Sequence, residues 1–283
     1  MELLALAILV LLVIRFAGGW IGLGIGLCLL SLLFIEQAPT PIQAPPSEEP
    51  AARDLMTSKA CRSCHPAAWS SWSDSYHRTM TQRPTPATVL GDFETTLTQG
   101  DQSWTLSQSS DGFFVSRRQK AQSSRRARIA LLTGSHHLQN YWMDLGQGWL
   151  VQFPWAWWIS QERWIPVSSS FLQPPGRPEV PIVWNDSCIY CHTTQGARGA
   201  SGDAAETRST VGELGIACEA CHGPATEHVS SVRAPWSRYQ ARYAENTDAH
   251  IVNPVRLKER SDGVCGQCHA VFTHREGTTR SRS

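Results

Sequence analysis

The sequence predicts a mostly α and irregular core, interrupted by a β-rich insert and preceded by an N-terminal transmembrane helix. Three observations lead to this fold class. Residues 3–35 form an apolar stretch, residues 89–132 alternate short apolar runs with Gly, Asp and Ser, and a C-x-x-C-H pentad occurs four times. The pentads contain eight of the nine cysteines, so they define the predicted core. The formal net charge of +1 excludes no class of partner.

The first element is a predicted transmembrane anchor over residues 1–36. Residues 3–35 are apolar apart from Arg15 and a few small or polar residues. At about 1.5 Å per residue, residues 16–35 are long enough to cross a hydrocarbon core of roughly 30 Å. A cleaved signal peptide is the alternative, but no charged n-region precedes the apolar run and no persuasive cleavage site follows it. One retained span is favoured, and a two-helix hairpin that turns near Arg15 is left open.

The second element is a linker over residues 37–52. The segment APTPIQAPPSEEP at 38–50 is rich in proline and predicts an extended spacer without a packed core. The folded domain is therefore predicted to cover residues 53–283.

The pentads in that domain are CRSCH at 61–65, CIYCH at 188–192, CEACH at 218–222 and CGQCH at 265–269. Paired cysteines at this spacing serve zinc sites, redox disulfides or thioether attachment of haem c. Only haem attachment requires the histidine that follows each pair, because that histidine ligates the iron. We therefore expect four covalently bound haem c groups, held by Cys61, Cys64, Cys188, Cys191, Cys218, Cys221, Cys265 and Cys268.

The first pentad is separated from the others by a long segment of different character. Residues 89–132 predict three or four antiparallel strands, and the SSDG sequence before FFV predicts a hairpin turn. The β-rich insert is placed at about 88–183 within the tetrahaem cytochrome core. Its basic residues are interpreted as a solvated face, with docking of an acidic partner or a haem propionate as the alternative.

The ten histidines supply the predicted iron ligands. The four in the pentads are proximal ligands: His65, His192, His222 and His269. The other six are candidates for the four distal positions: His77, His136, His137, His228, His250 and His274. Bis-histidine ligation saturates the iron and favours electron transfer over substrate chemistry.

Spacing limits which haem each distal histidine can reach. His222 and His228 are six residues apart, which corresponds to about 9 Å along a helix and about 240° around it. They cannot bind opposite sides of one iron. By the same argument, His65 and His77 are not expected to ligate the same iron. Each of these segments is therefore predicted to contact two haems, which implies a close-packed haem cluster.

The segments CRSCHPAAWSSWSDSYHRTM, GSHHLQNYW, WNDSCIYCHTT and GIACEACHGPATEH resemble the cytochrome c554-type multihaem proteins. The resemblance covers about residues 60–275. It implies a mostly helical haem core with a β insert, and distal ligands at His77, at His136 or His137, and at His228. Family members commonly continue well beyond the last haem, whereas this chain ends in HREGTTRSRS, and the N-terminal apolar segment is not general in the family.

These features predict a membrane-anchored tetrahaem electron carrier between redox partner proteins, with a quinol dehydrogenase as a candidate partner and no nucleic acid. Haem c is attached on the outer side of the plasma membrane, so the haem domain is expected on the periplasmic side. The alternative is a multihaem oxidoreductase in which one haem has an open position and acts on a small nitrogen or sulfur compound. No catalytic residue is assigned, and no C-x-x-C-K pentad indicates a lysine-ligated haem.

Overall fold

An eight-stranded antiparallel sheet is the largest element of the fold. The structure is a computed structural model that describes residues 56–119, 125–170, 181–198, 209–243, 248, 250–255 and 258–270. The strands of the sheet are β1 (Thr81–Gln82), β2 (Thr96–Gln99), β3 (Gln102–Ser109), β4 (Gly112–Gln119), β5 (Arg125–Thr133), β6 (Leu138–Asp144), β7 (Leu150–Trp158) and β8 (Arg163–Pro166).

Short helices precede and follow the strands of the sheet along the chain. They are α1 (Ser58–Arg62), α2 (Pro66–Ser73), α3 (Tyr76–Thr79), α4 (Val167–Ser170), α5 (Ile189–His192), α6 (Cys218–His222), α7 (Thr226–Ser231), α8 (Pro235–Tyr243) and α9 (Lys258–His269). A 3-10 turn at Ile159–Gln161 precedes β8, and a π-helical turn at Trp184–Cys188 leads into α5. A small second sheet pairs β9 (Thr193–Thr194) with β10 (Glu213–Leu214).

Strands β2 to β8 are neighbours in sequence order, while β1 pairs with β5 outside this path. The predicted SSDG hairpin is confirmed, because Ser109 pairs with Gly112 across a loop of Ser110 and Asp111. Gly112 has φ +130°, a conformation that side-chain-bearing residues rarely adopt. Strand β1 brings the segment after the first pentad onto the middle of the sheet, where Thr81 lies opposite Thr133.

The two faces of the sheet pack against different partners. Alternate side chains of a strand point to opposite faces, so Tyr141 and Met143 join an aromatic cluster that includes Phe93. Trp142, between them in sequence, instead joins a cluster with Trp184 and other residues near the second pentad. That cluster consists of Ala130, Leu131, Trp142, Leu150, Trp184, Ile189, Val211 and Leu214. One sheet face therefore supports a pentad directly.

The prediction of a mostly α core is wrong, because the sheet is the dominant element. The strand signal is weak in LVQFPWAWW, where apolar residues are nearly continuous and Pro154 stands inside the run. Pro154 is accommodated because the β6–β7 register shifts between Asn140 and Trp142, so the ladder is interrupted beside it. Aromatic burial on both faces thus removes the alternation that identifies β7 as a strand, although β7 lies inside the β-rich insert predicted at about 88–183.

The predicted transmembrane helix and plasma-membrane location are likewise corrected. No helix in the described part of the chain combines the length and apolar character that crossing a bilayer needs. The segments assigned to the anchor (1–36) and to the linker (37–52) lie outside the described residues, as does His274.

Candidate haem-binding site

The four C-x-x-C-H pentads lie on short helical turns. In the first, the His65 backbone N–H donates to the Cys61 carbonyl at 2.9 Å. The second continues from the π-helical turn into α5, the third is α6, and the fourth ends α9. Positions i, i+3 and i+4 lie on the same side of a helical turn. Each pentad therefore presents both cysteines and its histidine toward one side, as thioether attachment requires.

The four pentads also contact one another. The Gln267 side chain in the fourth donates to the Ala220 carbonyl in the third at 2.8 Å. The Gln267 carbonyl accepts from the Cys191 thiol of the second at 3.7 Å. Cys218 of the third pentad donates to Ser58, at the start of α1, at 3.6 Å. The tertiary structure thus collects motifs that are far apart in the sequence into one cluster.

The first and third pentads meet at their leading cysteines. A hydrogen bond between the thiols raises the pKa of Cys61 and lowers the pKa of Cys218 to about 6. In the thioether form neither sulfur carries a proton, so the contact then shows how close the two attachment points lie. The first cysteines of the two haem-binding turns therefore lie side by side.

Two acidic side chains hold these turns together, and the sequence predicts a role for neither of them. Glu219 is 4% exposed and accepts the backbone N–H of Met56 at 3.1 Å and that of Ala225 at 2.8 Å. Glu213 accepts both the backbone N–H and the hydroxyl of Ser58 at 2.9 Å. Nothing in the sequence distinguishes these carboxylates from solvated ones, because their partners are mostly backbone groups from distant segments.

A cavity of about 690 Å³ opens between the first and third pentads, a size suited to a large organic ligand. The Trp69 side chain also lines it, and its buried indole N–H has no acceptor within the described residues. A buried donor of this kind indicates that a group with acceptor atoms completes the site. Haem fits this requirement through its propionates. The cavity is lined by Cys61, Cys64, His65, Cys218, Cys221, His222, His77 and His228, among others.

His65 and His228 face each other with ring centroids 6.3 Å apart and planes at 29°. Two metal–imidazole bonds of about 2 Å, plus about 1 Å from each nitrogen to its ring centroid, give a centroid separation near 6 Å. The observed distance fits two histidines on opposite sides of one iron. His228 therefore faces the first pentad and not its sequence neighbour His222.

His77 and His269 lie at a similar separation, with ring centroids 6.2 Å apart, but their planes are nearly perpendicular at 80°. Its backbone is held next to the third pentad, because the Ile216 N–H donates to the His77 carbonyl at 2.9 Å. The separation again fits a shared iron, this time at the fourth pentad. His77 is close in sequence to the first pentad but does not face its histidine.

The other two proximal histidines have no facing histidine ring among the described residues. His222 Nδ1 lies 2.8 Å from the Val252 carbonyl, which leaves Nε2 as the nitrogen for a metal. Burial lowers the pKa of His192. Its buried Nδ1 has no hydrogen-bond partner within the described part of the chain. His192 therefore suits a neutral, metal-binding imidazole, and His222 presents Nε2 as the nitrogen that can bind a metal.

The remaining distal candidates lie apart from these pairs. The His136 ring contacts the rings of Tyr76 and His137 in tilted arrangements, with centroids 4.1 Å and 4.0 Å away, next to α3. His250 is exposed, and its Nδ1 lies 2.8 Å from Glu227 Oε2. The structure therefore does not place any of these three rings opposite a pentad histidine.

Comparison with known proteins supports haem chemistry in one segment. Residues 175–223, which contain the second and third pentads, match the model of the family described as cytochrome c554 and c-prime. Among solved structures, the outer cell wall cytochrome OcwA matches with a TM-score of 0.46 at 18% identity. The match covers 76% of this chain and 37% of that one, so this chain spans little more than a third of that protein. A comparison with curated protein sequences gives no match.

The family match and the pentads together support a c-type cytochrome with covalently bound haem c and electron transfer as its chemistry.

Proposed function

We propose that this protein is a tetrahaem c-type cytochrome that transfers electrons between redox partner proteins. The observation that carries the proposal is the pair of facing histidine couples, at 6.3 Å and 6.2 Å, within one cluster of four pentads. When bound, haem c supplies one-electron chemistry at its iron. A quinol dehydrogenase is a candidate partner, and nucleic acid is not among the partners.

The residues of this chain have separable roles in that function. The eight pentad cysteines attach the cofactor, and His65, His192, His222 and His269 are the proximal ligands. His228 and His77 are the distal ligands of the first and fourth pentads. Two imidazoles on one iron leave no position for a substrate, so these two sites are suited to carrying electrons.

The contacts between pentads support transfer within the protein. Cys61 and Cys218 lie beside each other, and the Gln267 side chain of the fourth pentad donates to the Ala220 carbonyl of the third. The Gln267 carbonyl lies 3.7 Å from Cys191 Sγ of the second pentad. Cofactors attached to such turns are held by neighbouring backbone segments and cannot move apart without breaking these contacts. Haems attached at these pentads would therefore be held close to one another.

A multihaem oxidoreductase acting on a small nitrogen or sulfur compound is the second candidate. The specific observation in its favour is that no histidine ring among the described residues faces His192 or His222. An open coordination position at either one would admit a small substrate. The two candidates differ in the spin state that they require of these haems.

Two measurements on the purified full-length protein test the proposal. Pyridine haemochrome analysis should give four haems per chain with the band typical of thioether attachment, and metal analysis should find no stoichiometric zinc. Electron paramagnetic resonance of the oxidised protein should then show low-spin iron only. A high-spin signal that responds to nitrite or hydroxylamine would favour the oxidoreductase, whereas one zinc per pair of pentads would exclude both candidates.

A further inference from the structure

Asp248 binds the second ring nitrogen of His228. His228 Nδ1 lies 2.6 Å from Asp248 Oδ2, and the other carboxylate oxygen accepts the His250 backbone N–H at 2.9 Å. The two side chains are only 22% and 24% exposed. The carboxylate is therefore fixed through both oxygens, and it leaves Nε2 as the nitrogen of His228 that can bind a metal.

We propose that Asp248 is a positioning residue that orients His228 and lowers the reduction potential of the haem attached at the first pentad. The inference rests on the proposed ligation of that haem by His65 and His228. It goes further by assigning a role to a residue that neither touches the iron nor belongs to a pentad.

The physical reason is the charge of the acceptor. A metal-bound imidazole that donates its other N–H to a carboxylate becomes a stronger electron donor, and its ring orientation is fixed. Stronger donation stabilises ferric iron more than ferrous iron, because ferric iron carries the larger positive charge. The couple at the first pentad should therefore have a lower potential than it would have with a neutral acceptor.

The third pentad provides an internal contrast. His222 Nδ1 faces the carbonyl of Val252 at 2.8 Å, which is a neutral acceptor. Two clustered haems would thus differ in the charge that supports one of their imidazoles. This difference would contribute to a separation between their potentials, in addition to any difference between their second ligands.

The test is Asp248→Asn in the full-length, haem-loaded protein. Asparagine has the same shape and removes the charge; its one acceptor oxygen can still serve His228 Nδ1, while the His250 backbone N–H loses its acceptor. His228→Ala first identifies the redox transition that belongs to this haem, because that haem should become high spin. In Asp248→Asn the same transition should move upward by about 59 mV, which is a tenfold change for a one-electron couple. The haem should stay low spin, with altered g values that report the weaker imidazole donor.

Glu227→Gln is the matched control. It removes one negative charge from the residue next to His228, but this carboxylate is 80% exposed and is paired with His250. Solvent and salt screen exposed charges strongly, so the transition should move far less than in Asp248→Asn. Asp248→Glu keeps the charge, so its potential should stay close to that of the parent. It therefore shows whether a shift in Asp248→Asn comes from the lost charge or from a disturbed fold.

The outcomes separate the inference from the function on which it rests. If His228→Ala opens one haem but Asp248→Asn leaves its potential unchanged, or shifts it no more than Glu227→Gln does, Asp248 does not tune the ligand. If His228→Ala leaves every haem low spin, the ligand assignment itself is wrong and the inference falls with it.

Discussion

His77 and His269 face each other with ring centroids 6.2 Å apart, although His77 follows the first pentad and His269 ends the last one. His228 similarly follows the third pentad but faces His65 of the first. Each pairing joins an early segment of the chain to a late one. The haem-binding turns are therefore interdependent, and changes at one of them should be detected at another.

We expect His77→Ala to leave one haem iron with an open coordination position, because the variant removes one of two facing imidazoles. That haem should change from low spin to high spin and should bind carbon monoxide, which the parent should not bind at this haem. Electron paramagnetic resonance of the oxidised protein and carbon monoxide difference spectra of the reduced protein measure the two effects.

The haem affected by His77→Ala is identified by a combined variant. Cys265→Ser with Cys268→Ser should lower the haem content by one per chain. When His77→Ala is added to this background, no new high-spin signal should appear, because the haem that His77 serves is already missing. A high-spin signal in the combined variant would place His77 on a different haem.

Glu219→Ala should destabilise the protein by about 2 kcal/mol, because it leaves the buried backbone N–H of Ala225 and the partly buried one of Met56 without their acceptor. Urea denaturation of the haem-loaded protein, followed by far-ultraviolet circular dichroism, measures the loss. Glu227→Ala is the matched control, since this carboxylate is 80% exposed, and it should change stability by less than about 0.5 kcal/mol. Equal losses in the two variants would contradict the role of Glu219.

Gly91→Ala should destabilise the β-sheet through overpacking. A Cβ at Gly91 would lie 2.5 Å from Trp164 Cζ2 and 2.6 Å from the Tyr141 hydroxyl, in the aromatic core. We expect a cost of about 1–3 kcal/mol in the free energy of unfolding. Gly263→Ala provides a control of opposite sign, because its Cβ meets nothing within 4 Å inside α9 and should add about 0.5–1 kcal/mol of helix stability. An unchanged free energy of unfolding in Gly91→Ala would contradict this prediction, because it would mean that the aromatic core can shift to accommodate the added Cβ.

Asp144 should make the stability of the parent fall as pH rises. Burial raises the pKa of this carboxyl above its ordinary value, despite the Gly146 N–H bond and nearby Arg128. The native state then binds the proton more tightly than the unfolded state, so stability declines from the ordinary carboxyl pKa up to the raised one. Asp144→Asn keeps an acceptor for Gly146 and removes this dependence. Its advantage in urea midpoint over the parent should be larger near pH 7 than near pH 4; an advantage independent of pH would refute the assignment.

Much of the site could be predicted because its chemistry is local. A C-x-x-C-H pentad places two thiols and an imidazole on one helical turn wherever that turn lies, so Cys188, Cys191 and His192 could be assigned to a haem without knowing the fold. The family match at 175–223 supports that assignment. The same local reasoning separated His228 from His222, since six residues of chain cannot reach across one iron.

The sheet could be predicted only in part. The hairpin between Ser109 and Gly112 has a strong turn signal and was predicted, whereas β7 was hidden by its continuous aromatic residues and Pro154. Trp142 and Trp184 pack together on the face that supports the second pentad. Alternation of polar and apolar residues fails where both faces of a strand are buried, so β7 cannot be identified as a strand from its pattern, although it lies inside the predicted β-rich insert at about 88–183.

The sequence by itself determined which residues can attach haem, because covalent attachment depends on spacing along a single turn. Only the tertiary structure decided which histidines face each other and which carboxylates support them. His65 meets His228, and Glu219 meets Met56, because the sheet and the clustered turns bring distant segments together. Contacts of this kind depend on where separate segments pack in space, and spacing along the chain does not encode that position.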